Sequence, residues 1–228
     1  MLDLEKRIGY HFQDPTLLEQ ALSHSSYANE VWKNGLKSYE RLEFLGDSIL
    51  GFVTAEYLYR TFPNYPEGDL TKLRSELVCE NSLVKAAETL CLGEVLRLGK
   101  GEEGTGGRRR ASILADVVES IIAAIYLDGG FSQAKRFIFS FVLVDAGQRV
   151  RENADYKTAL QELVQRKKNQ ELHYELLQEL GPDHDKQFQV QVLLNGAPIG
   201  VGMGTSKKRA EQAAAREAIA SLFPEEMP

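Results

Sequence analysis

Through the first two thirds of the chain, apolar residues recur at helical spacing. In the last third a helix leads into strand-like alternation, and a second helix closes the chain. Asp14-Pro15 predicts the first clear helix start, with Asp as N-cap and Pro at the first helical position, followed by the apolar face Leu17, Leu18, Ala21 and Leu22. A longer helix follows from Glu40, in which Leu42, Phe44, Leu45, Ile49, Leu50, Phe52 and Val53 are expected to face a core. The chain breaks at Phe62 to Asp69, restarts through Leu70, Leu73, Leu77 and Val78, and continues helical from Asn81 to Leu92 with Leu83, Val84, Ala87 and Leu90 inward. The glycines of Gly99 to Arg110 predict a flexible loop, after which helices are expected from Ser112 to Leu127 and from Ser132 to about Val150.

Near Asn153 the pattern changes. Tyr156 to Lys168 reads as a helix with the buried stripe Ala159, Leu160, Leu163 and Val164. Leu172, Tyr174 and Leu176 then alternate, as do Phe188, Val190, Val192 and Leu194; Asn195-Gly196 signals a hairpin, and Ile199, Val201 and Met203 alternate with glycines. Ser206 is placed to cap a last helix with the apolar face Ala210, Ala213, Ala214, Ala218 and Leu222. The expected architecture is an all-α domain over residues 1–152 and a small α+β domain of order α-β-β-β-α over residues 153–228. A short polar linker around Arg151 to Asp155 joins them.

The helix from Glu40 carries acids inside its apolar pattern. Glu43 and Asp47 lie one turn apart on one face, and their same-face neighbours Tyr39, Glu40, Leu50 and Gly51 offer no cation. Asp116 and Glu119, spaced three apart, share a face of a second apolar helix. Carboxylates near a dry interior must be paired, coordinated or protonated. If the two helices pack together, four carboxylates converge and a divalent cation is the compensating charge. Hard oxygen donors suit Mg²⁺, with Mn²⁺ able to substitute, and a pair of ions so held is suited to phosphodiester hydrolysis. A helical di-iron oxidase is the metal-binding rival, but it requires Glu-x-x-His pairs, and none of His11, His24, His173 or His184 stands three residues after a Glu. His24 reads as a hydrogen-bonded structural histidine rather than a ligand.

Charge narrows the rest. The chain has 228 residues and a formal net charge of −6, distributed as −4 before residue 155 and −2 from there on, so any phosphate binding must come from local patches. One such patch is Ser206-Lys207-Lys208-Arg209, three cations on the first turn of a helix, where backbone N–H groups already favour phosphate. Another element of the same domain presents Thr158, Gln161, Glu162 and Gln165 at spacings of three, four and seven. Such a row of hydrogen-bonding groups suits the 2′-hydroxyls in the minor groove of duplex RNA. Lys100, Arg108, Arg109 and Arg110 form a third cluster, either a solvated loop or a phosphate holder. Cys79 and Cys91 have no metal-ligand spacing and read as buried free thiols of a reducing compartment. No uncharged run is long enough to span a bilayer, and the expected setting is the cytoplasm, with no membrane partner.

The stretch Glu-Arg-Leu-Glu-Phe-Leu-Gly-Asp-Ser-Ile-Leu, Glu40 to Leu50, resembles the signature of the ribonuclease III family. Ser112 to Gly130 resembles that family's second acidic motif, and the C-terminal third resembles its double-stranded-RNA-binding domain, including Gly181-Pro182-Asp183-His184. The resemblance implies a Mg²⁺-dependent endoribonuclease acting on double-stranded RNA in rRNA and mRNA processing. Asp47 and Glu119 are its catalytic residues, with Glu43, Asp47, Asp116 and Glu119 as metal ligands and Glu40 and Glu67 as accessory acids. It also implies RNA contacts from Thr158, Gln161, Glu162, Gln165, His184, Lys207 and Lys208, and a homodimer in which Phe44 plugs into the partner. Tyr39, where the family more often has a small polar residue, and Ala123, where Gly is common, depart from the pattern. Neither is expected to touch a ligand. The alternative is a double-stranded-RNA-binding protein without catalysis, which would have no need of all four carboxylates.

Overall fold

The computed structural model describes residues 2–33, 37–63, 65–147, 155–167, 169–182 and 186–226. They fall into two units, Met1–Arg149 and Val150–Pro228. The first unit is all-helical: α1 (Leu2–Ile8), α2 (Pro15–Ala21), α3 (Glu40–Thr61), α4 (Glu67–Leu77), α5 (Glu80–Thr89), α6 (Ala111–Gly129) and α7 (Phe131–Phe141), with shorter helical turns between them. Among the described residues no helix is long and apolar enough to cross a membrane.

Helix α6 is the axis of this unit. Val117, Val118 and the run Ile121 to Ile125 are fully buried, as expected of a helix that is apolar nearly all round. Helices α2, α3, α5 and α7 pack around it, α3 most extensively. The contact with α3 is made possible by Gly46, where a Cβ would lie 1.9 Å from the Glu119 carbonyl oxygen. At the far end of α6, one Asp128 carboxylate accepts from the Tyr10 hydroxyl (2.6 Å) and from the backbone N–H groups of Gln13 (2.9 Å) and Asp14 (2.8 Å), tying the segment before α2 to the end of the axis. The expected cap of α2 is present, with Asp14 accepting from the Thr16 N–H at 2.9 Å.

Several expectations are corrected here. Phe44 and Phe52 do not face the core but stand 77% and 60% exposed, because α3 turns Leu42, Ile49, Leu50 and Val53 inward instead. The glycine-rich stretch is no open loop: Lys100–Gly104 and Gly107–Arg109 form short helical turns. The arginines there are engaged by the stretch's own acids, Arg108 with Glu103 at 2.5 Å and Arg110 with Glu102 at 2.6 Å. Arg108 also donates to the Gly93 and Leu96 carbonyls, so this residue is a structural clamp. Cys79 and Cys91 are free but exposed rather than buried. The helix from Phe131 ends at Phe141, short of the expected Val150, which itself lies outside the described residues.

The second unit runs α8 (Tyr156–Gln165), β1 (Leu172–Leu180), β2 (Gln187–Leu194), β3 (Ala197–Gly204) and α9 (Lys207–Leu222). The strands form an antiparallel sheet of order β1-β2-β3, and both turn residues Asn195 and Gly196 have positive φ (51° and 83°), as a tight hairpin turn demands. Tyr156, Leu160, Leu163, Val164 and Val192 meet Ala214, Ala215, Ala218 and Ile219 in its core. In β3 the glycines face the helix: a Cβ on Gly202 would lie 2.1 Å from the Ala214 nitrogen, whereas Val201 and Met203 point outward and are exposed. The inner face of α9 correspondingly uses Ala215 and Ile219, while Leu222, expected inside, is exposed.

Candidate functional site

At the crossing of α3 and α6, the carboxylates of Glu43, Asp116 and Glu119 converge, with ligand oxygens all within 4.8 Å of one another. Each side chain is half-buried. Gly46 fixes this geometry: the bare backbone one turn after Glu43 lets Glu119 come up against α3. Asp47, one turn after Glu43, is exposed and stands outside the tight cluster. Its charge still acts on Glu119 and Glu43. Glu40, exposed on the first turn of α3, acts electrostatically on Glu43 and Asp116. Glu67 begins α4, exposed, with its carboxylate accepting from the Thr71 hydroxyl at 2.8 Å; it is not part of the cluster.

The electrostatics are those of carboxylates gathered at a partly buried helix crossing. Burial, followed by the charges of Asp47, Glu43 and Asp116, pushes the Glu119 carboxyl up to about 8. Burial, then Asp116 and the other acids, likewise raises Glu43. Burial also raises Asp116, opposed by the Tyr39 hydrogen bond and by His24. Among the described residues, no Lys or Arg pairs with any of the three. The donor set, three hard carboxylate oxygens at close range, fits a divalent cation such as Mg²⁺.

Tyr39 departs from what its sequence position implies. Expected to touch no ligand, it is 2% exposed, and its hydroxyl donates to Asp116 Oδ2 at 3.2 Å. Burial and the Asp116 carboxylate push its own ionisation well above the ordinary tyrosine range, so it stays a donor. The contact joins residues 77 apart, and the only signal for it in the sequence is the oddity of a Tyr just before an acidic helix. His24 behaves as expected of a structural histidine: its Nδ1 accepts from the Ser26 N–H at 3.1 Å and its ring meets the Tyr39 ring edge-on.

In the second unit, Thr158, Gln161, Glu162 and Gln165 are all exposed on α8; the Thr158 hydroxyl donates to Asp155 at 2.9 Å. Ser206 caps α9 by accepting from the Arg209 N–H at 3.2 Å. Lys207 and Lys208 stand exposed on the first turn, but Lys207 is engaged, with its ammonium 3.4 Å from Glu179 and over the Phe188 ring. His184 lies outside the described residues.

The family model described as Ribonuclease-III-like matches residues 14–146, and that of the double-stranded RNA binding motif matches residues 156–222. A relative named Ribonuclease 3 from Caldanaerobacter subterraneus is 50% identical over 221 residues, 96% of each chain. Another of that name from Listeria welshimeri is 47% identical over 222 residues, again 96% of each. Among solved structures, the nuclease domain of ribonuclease III from Campylobacter jejuni, described as flexible in a region involved in dimer formation, is similar at a TM-score of 0.58. It is 42% identical, and the match covers 62% of this chain and 95% of that one.

Proposed function

Because the chain belongs to the ribonuclease III family and is an endoribonuclease, we propose that it hydrolyses double-stranded RNA with Mg²⁺ to 5′-phosphate and 3′-hydroxyl ends. The observation that carries this reading is the convergence of Glu43, Asp116 and Glu119 within 4.8 Å, with no Lys or Arg among the described residues paired to them. These three would hold the metal, with Asp47 joining them directly or through water, so that four carboxylates share two ions. Bound Mg²⁺ supplies Lewis-acid stabilisation of the charge developing on the phosphoryl oxygens and a water of lowered pKa. Asp47 and Glu119 carry the catalytic role, and Glu40 and Glu67 serve as accessory acids.

The chain's other surfaces divide the remaining work. Thr158, Gln161, Glu162 and Gln165 face 2′-hydroxyls, His184 serves the second minor groove, and Lys207 and Lys208 hold phosphate. Exposed Phe44, Phe52 and Tyr59 lie along one side of α3, with Phe131 stacked edge-on against Phe52. Exposed aromatic rings on one side of a helix support a homodimer with Phe44 inserted into the partner. We assign the domains to residues 1–152 and 153–228. We place the substrates among rRNA and mRNA precursors in the cytoplasm, with Mn²⁺ able to replace Mg²⁺.

The test is cleavage of a long RNA duplex with Mg²⁺ and with chelator, for the wild type and for Glu119→Gln. Wild-type cleavage should require the metal. The variant should bind duplex normally in Ca²⁺ and lose cleavage by orders of magnitude, as the loss of one metal-holding charge weakens stabilisation at the reacting phosphate. Metal-independent cutting, or a variant that cuts at the wild-type rate, would overturn the assignment. Binding without any cleavage would leave the non-catalytic alternative.

A further inference from the structure

Three carboxyl groups within 4.8 Å repel one another whenever they ionise, so something must keep them aimed inward. Among the described residues, only one side-chain hydrogen bond reaches any of these carboxylates, and it comes from Tyr39. Tyr39 is held through both its backbone and its ring. Its backbone N–H donates to the Ser23 carbonyl at 2.9 Å, its own carbonyl accepts from the Ser120 hydroxyl at 3.3 Å, and its ring meets His24 with centroids 5.6 Å apart. Ser23 is fixed in turn, since its neighbours Leu22 and His24 exchange backbone hydrogen bonds with Arg97. Ser120, fully buried, shares that single hydroxyl proton with the Asp116 carbonyl at 2.8 Å, the shorter of the two contacts. One hydroxyl therefore binds the backbones of Tyr39 and Asp116 together, while the other joins their side chains.

We propose that Tyr39 is a positioning residue that holds the Asp116 carboxylate in the metal-binding rotamer, an inference that rests on the metal-dependent reading above. A hydroxyl whose ring and backbone are both fixed has little freedom to follow Asp116, so Asp116 must stay with it. Partners of this kind, behind the ligands themselves, typically change metal affinity or activity by about 10–100-fold when removed.

The experiment uses the full chain without RNA. Divalent binding is titrated with Mn²⁺ by electron paramagnetic resonance, and the melting temperature of the metal-free protein is followed in parallel. Tyr39→Phe keeps the buried ring and removes the donor. It should raise the Mn²⁺ midpoint by about 10–100-fold, leave the metal-free melting temperature near the wild type, and recover cleavage at high Mg²⁺. Ser120→Ala removes the link between the Tyr39 and Asp116 backbones but keeps the Tyr39 hydroxyl, and the Tyr39 carbonyl keeps the Leu42 and Glu43 N–H groups; it should shift the midpoint less and in the same direction, and it carries the test if Tyr39→Phe does not fold. A lowered melting temperature with an unchanged midpoint would mark Tyr39 as packing alone and overturn the proposal. Unchanged midpoints in both variants would also overturn it. A wild type that binds no Mn²⁺ would instead overturn the metal site and this inference together.

Discussion

Gly46→Ala adds one methyl group at the crossing of α3 and α6. The new Cβ would stand 1.9 Å from the Glu119 carbonyl oxygen, 2.5 Å from its carbon and 3.1 Å from its Cα, where ordinary contact begins at 3.4 Å. The shortfall is about 1.5 Å against a backbone atom in a helix buried along most of its length, so no side chain can swing aside. Either the helices separate or α6 shifts along its axis, and both movements carry Glu119 and Asp116 away from Glu43. Overpacking of this kind costs about 1–3 kcal/mol of stability, and a misplacement of about 1 Å in a reacting constellation can cost about 100-fold in rate. Urea unfolding of the helical unit, single-turnover duplex cleavage and gel-shift affinity in Ca²⁺ should be measured together. The expected pattern is a folded protein with a lowered urea midpoint, a cleavage rate down by about 100-fold or more, and unchanged duplex affinity. Wild-type cleavage in a variant that is measurably less stable would show that the crossing distance does not set the carboxylate geometry.

Other perturbations probe separate links. Glu119 has a folded-state value of about 8 against 4.5 for the free group, so the stability it contributes is complete below about pH 4.5 and lost as pH rises through 8. In chelator, the melting temperature of the wild type should therefore fall relative to Glu119→Gln between pH 5 and 8, and saturating Mg²⁺ should remove the difference; a pH-independent difference in chelator would refute the assignment. Phe44→Ala should leave the fold intact, since the ring is already 77% exposed, but weaken the proposed dimer by about 2 kcal/mol or more, roughly 30-fold, in sedimentation; an unaltered dissociation constant would remove Phe44 from the proposed interface. Changing Lys207 and Lys208 to Ala should weaken binding to unrelated duplexes alike and lower the salt slope of log K by roughly 0.9 for each phosphate no longer neutralised, on the duplex-DNA calibration. Because Glu179 already holds Lys207, most of the weakening should come from Lys208; equal effects from the two single variants would contradict this division.

Local chemistry is readable from the chain wherever it is short-range. Asp14, Ser206 and Asn195-Gly196 act at their own turns, and each does what its position implies. The pairing of two acidic helices is readable too, because buried carboxylates must find one another or a cation. Phe44 and Phe52 look inward-facing in the sequence because α3 carries apolar residues around much of its circumference, and periodicity does not say which side meets the chain's own core. The basic run from Lys100 to Arg110 is visible as charge, but Glu102 and Glu103 within the same run take up Arg110 and Arg108. Tyr39 and Gly46 act through contacts 77 and 73 residues away, which no local pattern encodes.

The glycines of β3 beneath α9 bear on how this surface can change over time. With Gly200, Gly202 and Gly204 each leaving less than 3.0 Å to the helix, the gap between strand and helix admits no larger side chain at any of the three. Substitutions on that side are filtered by volume, whereas Lys208, exposed on the first turn of α9, is not among the atoms that crowd these glycines. On the proposed phosphate role of Lys208, a lineage could therefore retune its affinity for duplexes by exchanging that charge while the helix stays at the same height above the sheet, so that strength of binding would drift independently of where the duplex is held.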